Sequence, residues 1–381
     1  MNNPASLCII GTNTHRLWGR PLPERIALQF ARAGIDHVVN PDNLVSETGD
    51  IILVRADAVL DAPLINLLSE DTQRLLLSQD KHPLAARIPA KDAPNAIAVL
   101  NHQAPPDILE GIPASSPGDL DASYWKALRK RETPYAMAYD PNQKQEIEWR
   151  SFMGTYKGAT DFVTKHIWPR PAFITTRWLA DTFVTPNMVT SLSAIFTILA
   201  FVFFMRGEWA LGLISAWSMT FLDTVDGKLA RTTLTSSPWG NVFDHGIDLI
   251  HPPFWYWAWG IGLAKGAHAL APGALWWTLA VIIGGYVLQR VLEGLSISLL
   301  GLEIHIWRRI DSAFRQITAR RNPNLVLLTL GALFGRPDLG LIAVAIWTGF
   351  CFVLHLVQLA HALIVRARTG PLQSWLTGDS T

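Results

Sequence analysis

The stretch "FLDTVDGKLARTTLTSSPWGNVFDHGIDLIHPPFW", Phe221 to Trp255, places four aspartates, Asp223, Asp226, Asp244 and Asp248, between long apolar segments. At its centre "TTLTSSPW" (232–239) is dense in turn residues. Ser237 suits the cap of a following helix and Pro238 its first turn. The midpoint of the turn falls near residue 235. Asp226 and Asp244 lie almost equally far from it, and so do Asp223 and Asp248. In two antiparallel helices, residues equidistant from the turn face each other at one height. Spacings of three and four also keep each pair on one face of its own helix. The pattern predicts four carboxylates converging near one end of a helical hairpin.

Four carboxylates in apolar surroundings cannot all stay ionised without compensation. Either their pKa values rise sharply or cations neutralise them. Carboxylate oxygens are hard ligands, suited to Mg²⁺, Mn²⁺ or Ca²⁺. Four of them can hold two ions close together, and such a pair can clamp the oxygens of a phosphoryl group during displacement. The small residues agree with this chemistry. Gly227 follows Asp226, Ala230 lies one turn on, and Gly240 faces them, so a flat phosphorylated ligand can approach the backbone. Lys228 and Arg231 stand where they can reach anionic oxygens.

Outward from the hairpin, the composition is that of a membrane protein: 49% hydrophobic, 17% charged, 16 Trp in 381 residues. Apolar runs near the length that a bilayer demands fall at about 187–205, 209–230, 239–264, 273–300, 323–335 and 339–365, the fifth being short. Arg308, Arg309, Arg315, Arg320, Arg321, Arg366 and Arg368 lie on one side of these runs, and the opposite loops hold few basic residues. The positive-inside rule then places both termini and the 231–240 turn in the cytosol. The N-terminus lacks a basic start followed by an apolar run, so no signal peptide is expected. The segment 161–183 mixes aromatics with Lys165, Arg170 and Arg177 and reads as an interfacial helix.

Residues 1–150 differ in composition. "LCIIGT" (7–12), "DHVVN" (36–40), "DIILVRAD" (50–57) and "YAMAYD" (135–140) read as strands. Residues 21–34 read as a helix whose apolar face is Ile26, Leu28, Phe30 and Ala31 and which ends at Gly34. Alternation of strands and helices implies a parallel α/β sheet. A net charge of +1 offers no field for nucleic acid, and Cys8 and Cys351 suggest no disulfide framework.

Asp223-x-x-Asp226-Gly227-x-x-Ala230-Arg231, eight residues, then Gly240-x-x-x-Asp244-x-x-x-Asp248 resembles the full signature of the CDP-alcohol phosphotransferase family. Chance agreement at every position is on the order of 10⁻¹⁰ per start site. The resemblance implies a six-helix integral membrane enzyme, often a homodimer. Such an enzyme moves a phospho-alcohol from a CDP-alcohol donor to an alcohol acceptor and releases CMP. At least one of the two substrates is expected to be a lipid. It further implies that Asp223, Asp226 and Asp244, with Asp248 beside them, hold two divalent cations, Mg²⁺ or Mn²⁺. Asp248 is then the base that deprotonates the acceptor hydroxyl. Gly227, Ala230, Arg231 and Gly240 shape the CDP pocket, and Asn187 in "TPNMVT" (185–190) contacts the donor. The N-terminal part is similar to a sugar-nucleotidyltransferase fold. Its loop "GTNTHRLWG" (11–19) is truncated against that fold, which implies a degenerate, non-catalytic relative. Asp57 is there either a metal ligand or a turn residue.

The organisation expected is a cytosolic α/β domain at 1–150 and a linker with an interfacial helix at 151–184. A six-helix domain at 185–368 and a cytosolic tail at 369–381 follow. The membrane expected is the inner (cytoplasmic) one, with the active site facing the cytosol. His245 and His251 are read as packed or interfacial groups, and Trp255, Trp257 and Trp259 as bilayer or packing groups. Rival readings of the aspartates are an ion pathway and a catalytically dead scaffold. The first predicts acidic residues deep in other spans, where only Glu293 occurs.

Overall fold

The computed structural model describes residues 5–70, 72–120 and 124–377. The chain divides into two compact units. One comprises Met1–Tyr156, Ala180–Thr182 and Arg231–Thr235, and the other Lys157–Leu179, Phe183–Ala230 and Ser236–Thr381. The end of the expected tail, 378–381, lies outside the described residues.

The first unit is built on a five-stranded sheet in the order Ser6–Ile10, Asp50–Arg55, Pro83–Pro89, Arg74–Leu77, Ala114–Ser115. Alternate residues of the two apolar strands point to opposite faces, as the pleat requires. Leu7, Ile52 and Val54 pack with Ile26 and Phe30 of α1 (Leu22–Arg32) and Leu64 of α2 (Ala62–Ser69). Cys8, Ile51 and Leu53 pack with Ala96 and Val99 of α3 (Ala93–Leu100) on the other face. Both faces are covered, which is why these strands read as continuous apolar runs. Helix α4 (Lys144–Gly154) is tied in by Trp18, whose indole donates to Ser151 at 2.8 Å.

The sheet is mixed, not parallel as its sequence suggested. Ser6–Ile10 runs parallel to Asp50–Arg55, but Pro83–Pro89 is antiparallel to both its neighbours. The cause is a tight turn: the Ser78 amide donates to the His82 carbonyl at 2.7 Å, and so short a connection admits only antiparallel pairing. "DHVVN" contributes a single parallel bridge, Leu7 to Val38. Within "YAMAYD", Ala136–Ala138 pairs with Ala58–Leu60 in a separate two-stranded ribbon.

The second unit begins with α5 (Pro169–Ala180), which buries Ala172, Phe173, Thr176 and Leu179 and exposes Ile174 and Trp178. Six helices then occupy the positions of the six apolar runs: α6 (Pro186–Arg206), α7 (Trp209–Thr232), α8 (Pro238–Ala264), α9 (Pro272–Leu300), α11 (Arg321–Leu333) and α12 (Pro337–Thr369). The short α10 (Arg309–Phe314) precedes α11. Three of the six, α6, α9 and α12, are long and apolar enough to cross a membrane by length and composition. Helix α7 carries the first aspartate pair and α8 the second, while α11 has 13 residues. At 1.5 Å per residue α11 spans about 20 Å, short of a bilayer core. Large apolar side chains such as Ile195, Ile198, Ile214, Ile346 and Val357 are exposed around these helices. The protein is an integral membrane protein. Inside, small residues let backbones meet: a Cβ on Gly331 would lie 2.5 Å from the Gly340 Cα.

Candidate active site

The turn between α7 and α8 forms as its residues dictate. Ser237 caps α8, its hydroxyl accepting from the Gly240 amide at 3.0 Å, and Pro238 is the first helical residue. The cap fixes where α8 starts, and so which of its residues meet α7. One carboxylate oxygen from each of Asp223, Asp244 and Asp248 lies within 4.8 Å of the other two.

Asp226 lies near enough to Asp223 and Asp244 for their charges to act on it. It is 2% exposed and turned toward α6, where its Oδ2 accepts from the Thr190 hydroxyl at 2.6 Å. Its Oδ1 is buried with no hydrogen-bond partner among the described residues. Three carboxylates thus share one close group, and the fourth stands beside them with one oxygen lacking a hydrogen-bond partner among the described residues.

Arg321, at the start of α11, joins the trio. Its Nη2 donates to Asp223 Oδ2 at 2.5 Å and its Nη1 donates to Asp248. By sequence alone Arg321 is one of several basic loop residues. Its position directly before an apolar run was the available signal. One guanidinium offsets at most one of four carboxylate charges, so the group stays short of positive charge. Divalent ions fit such a donor set: hard oxygens within bridging distance of one another, and the orphaned Asp226 oxygen. Side-chain exposure rises from 15% at Asp223 to 29% at Asp244 and 40% at Asp248, so Asp248 is the most open to a substrate.

The residues expected to shape a nucleotide pocket are partly brought together. A Cβ on Gly240 would lie 2.9 Å from Asn187 Oδ1 and 3.0 Å from Ser237 Oγ, so Asn187 of α6 rests on Gly240 of α8. Gly227 and Ala230 lie on α7, and the Ala230 carbonyl accepts from Ser236 at 3.1 Å. Arg231 belongs to the first unit.

Residues 183–312, which contain all four aspartates, match the family described as CDP-alcohol phosphatidyltransferase. The match is confined to this segment of the second unit and its turn. Among the chain's relatives is the bifunctional IPC transferase and DIPP synthase of Rubrobacter xylanophilus, 34% identical over 186 residues. That alignment covers 48% of this chain and 38% of the relative. The archaetidylinositol phosphate synthase of Pyrococcus horikoshii is 26% identical over 47% of this chain and 86% of its own length. The phosphatidylinositol phosphate synthase of Streptomyces avermitilis is 36% identical over 25% of this chain and 37% of its own.

Several other polar groups of the second unit have structural partners. His251 Nδ1 donates to the Ile247 carbonyl at 2.7 Å, and the ring packs on Trp255 with centroids 4.4 Å apart. The Trp255 and Trp259 indoles donate to the Thr197 and Pro337 carbonyls at 3.0 and 3.1 Å. His245 is exposed, 3.7 Å from Asp244. Glu293 is no isolated carboxylate on an ion path. Arg290 donates to it at 2.7 Å, Arg320 also donates to it, and His305 Nε2 lies 3.0 Å away. Arg315, 8% exposed, lies in the same electrostatic neighbourhood. Nitrogens of Arg290, Arg315 and Arg320 are buried with no hydrogen-bond partner among the described residues. Three guanidiniums against two carboxylates, Glu293 and the Asp161 that faces Arg315, leave this cluster cationic.

In the first unit, both oxygens of Asp57 are held by Arg55, at 2.9 and 2.6 Å. The pair lines a cavity of about 530 Å³ with the Gly11–His15 loop, Asn101 and His102. An aspartate held by both oxygens in this way serves as an anchor for Arg55.

Proposed function

We propose that the protein transfers a phospho-alcohol from a CDP-alcohol to a hydroxyl of a second alcohol and releases CMP. The observation that carries this reading is the meeting of Asp223, Asp244 and Asp248 within a segment that matches this family. Asp223, Asp226 and Asp244, joined by Asp248, would hold two divalent cations, Mg²⁺ or Mn²⁺. When bound, these ions offset the charge of the donor diphosphate and of the departing CMP. The chain's own residues do the rest. Asn187, Gly227, Ala230, Arg231 and Gly240 receive the cytidine and its phosphates. Asp248, the most open carboxylate, takes the proton of the acceptor hydroxyl as that oxygen attacks the β-phosphorus in line. Thr190 orients Asp226, and Arg321 holds Asp223 and Asp248 in register until substrates arrive.

The acceptor in this reading carries a phosphate. The cationic cluster of Arg290, Arg315 and Arg320, with nitrogens free to donate, suits a polyanionic group. Relatives named for inositol phosphate products support the same class. The six-helix domain spans the inner (cytoplasmic) membrane, its α11 being too short to cross alone, with α5 on the cytosolic face, the active site facing the cytosol and two copies forming a homodimer. The first unit is non-catalytic, in keeping with an Asp57 already occupied by Arg55.

The test is product identification by mass spectrometry with a panel of CDP-alcohols, each offered free and phosphorylated acceptor alcohols. The expected product keeps the acceptor's phosphate, and Arg320→Ala raises the KM for that acceptor without raising the KM for the donor. Equal turnover of unphosphorylated acceptors would set the acceptor assignment aside.

A further inference from the structure

Helix α7 carries Asp223 and Asp226 and runs into the first unit at its end. There three arginines meet three successive carbonyls. Arg25 Nη1 donates to Thr232, Arg20 Nε donates to Thr233 at 3.0 Å, and Arg32 Nη2 donates to Leu234 at 2.6 Å. Arg25 and Arg32 are seven residues apart on α1, two turns, and so share a face. Arg20 comes from the short strand just before α1.

The arrangement answers a specific need. Thr232 is the last residue of α7, whose terminal carbonyls have no partner within the helix and form the negative end of its dipole, and Thr233 and Leu234 continue the chain just beyond it. Leu234 has a φ of +57°, a conformation that a leucine holds only when its surroundings impose it. Arg25 is 6% exposed, and Arg20 and Arg32 are near enough to add like-charge repulsion. Burying one guanidinium beside two others is unfavourable unless their hydrogen bonds are wanted, and the α7 terminus supplies the acceptors.

We infer that Arg20, Arg25 and Arg32 are positioning residues for the transfer reaction. They clamp the end of α7, and through it fix the height and rotation of Asp226, six residues upstream, and of Asp223. The first unit, which includes 231–235, then holds the end of the helix that carries both aspartates. This inference rests on the metal-binding role proposed above for the aspartates.

The experiment uses the full chain in detergent, with Arg25→Ala, Arg25→Lys and Arg32→Ala variants. Mn²⁺ binding is measured by calorimetry, and hydrogen exchange is followed by mass spectrometry. In Arg25→Ala the Mn²⁺ dissociation constant should rise about tenfold or more. Amides of 227–236 should exchange faster while those of α9 and α12 keep their rates, and Arg25→Lys should recover part of both effects. Wild-type Mn²⁺ affinity together with wild-type exchange at 227–236 in Arg25→Ala would overturn the inference. If wild type itself binds no Mn²⁺, the metal reading fails, and the exchange arm alone decides whether the clamp exists. Should Arg25→Ala not fold, Arg32→Ala, which leaves the buried guanidinium in place, is judged by the same two readouts.

Discussion

Arg321 Nη2 lies 2.5 Å from Asp223 Oδ2, an ion pair between residues 98 apart in sequence. A second nitrogen of the same guanidinium donates to Asp248. The start of α11 thus links an aspartate of α7 to one of α8. Removing one partner of a buried pair costs about 3–5 kcal/mol, because the other charge is left uncompensated. Arg321→Ala should lower the unfolding temperature markedly in chelator and much less in Mg²⁺, since a bound cation takes over the compensation. Thermal unfolding in detergent under the two conditions checks this. Equal destabilisation in both would separate Arg321 from the metal site.

Thr190→Val removes the hydroxyl that donates to Asp226 Oδ2 at 2.6 Å and keeps the side-chain volume. A hydrogen bond to a charged group contributes about 1.5–3 kcal/mol. Part of that loss should reach the metal. The Mg²⁺ concentration for half-maximal turnover should rise about tenfold, equivalent to about 1.4 kcal/mol. A metal titration of initial rates measures it.

Gly240→Ala places a Cβ against Asn187 Oδ1 and Ser237 Oγ, both ends of side chains that can turn aside. Ala is also the better helix former by about 1 kcal/mol. Stability should therefore hold while Asn187 is displaced from the proposed donor pocket. Kinetics with varied CDP-alcohol should show a higher KM for the donor and an unchanged unfolding temperature.

Asp61 gives the first unit a pH dependence. It caps α2, accepting from the Ala62 amide at 2.9 Å, and is 6% exposed. Burial pushes its carboxyl up to about 6 from 3.8, and Lys130 opposes this in part. Between pH 3.8 and 6 the folded state holds a proton that the unfolded state has lost, so stability falls with rising pH across that window and levels off above it. Asn can cap as Asp does but does not titrate. The stability of wild type relative to Asp61→Asn should be greater at pH 4.5 than at pH 6.5. Urea midpoints read by protease cleavage within 1–156 provide the comparison.

The aspartates were legible in the sequence because a hairpin of two helices turns local spacing into spatial position. Ser237 and Pro238 fix the start of α8, and the distances from the turn do the rest. The limit of that logic is Asp226. Spacing puts it level with the other three, but its hydrogen bond from the Thr190 hydroxyl on α6 is one that no local pattern announces. Arg321 was hidden for the same reason. Its partners are distant in sequence, and a basic residue before an apolar run has an ordinary topological explanation. In the first unit the apolar runs marked the strands at Ser6–Ile10 and Asp50–Arg55, but strand direction depended on the Ser78–His82 turn. The strand-like composition of "DHVVN" and "YAMAYD" could not reveal that each lacks a place in the ladder of the main sheet.

Release of CMP from a CDP-alcohol by the purified full chain tests the central claim most directly. It should be followed with and without chelator, in wild type and in Asp244→Asn. The account predicts metal-dependent release that stops on chelation and falls about 100-fold or more in the variant. Turnover that survives chelation, or an Asp244→Asn protein as active as wild type, would contradict it.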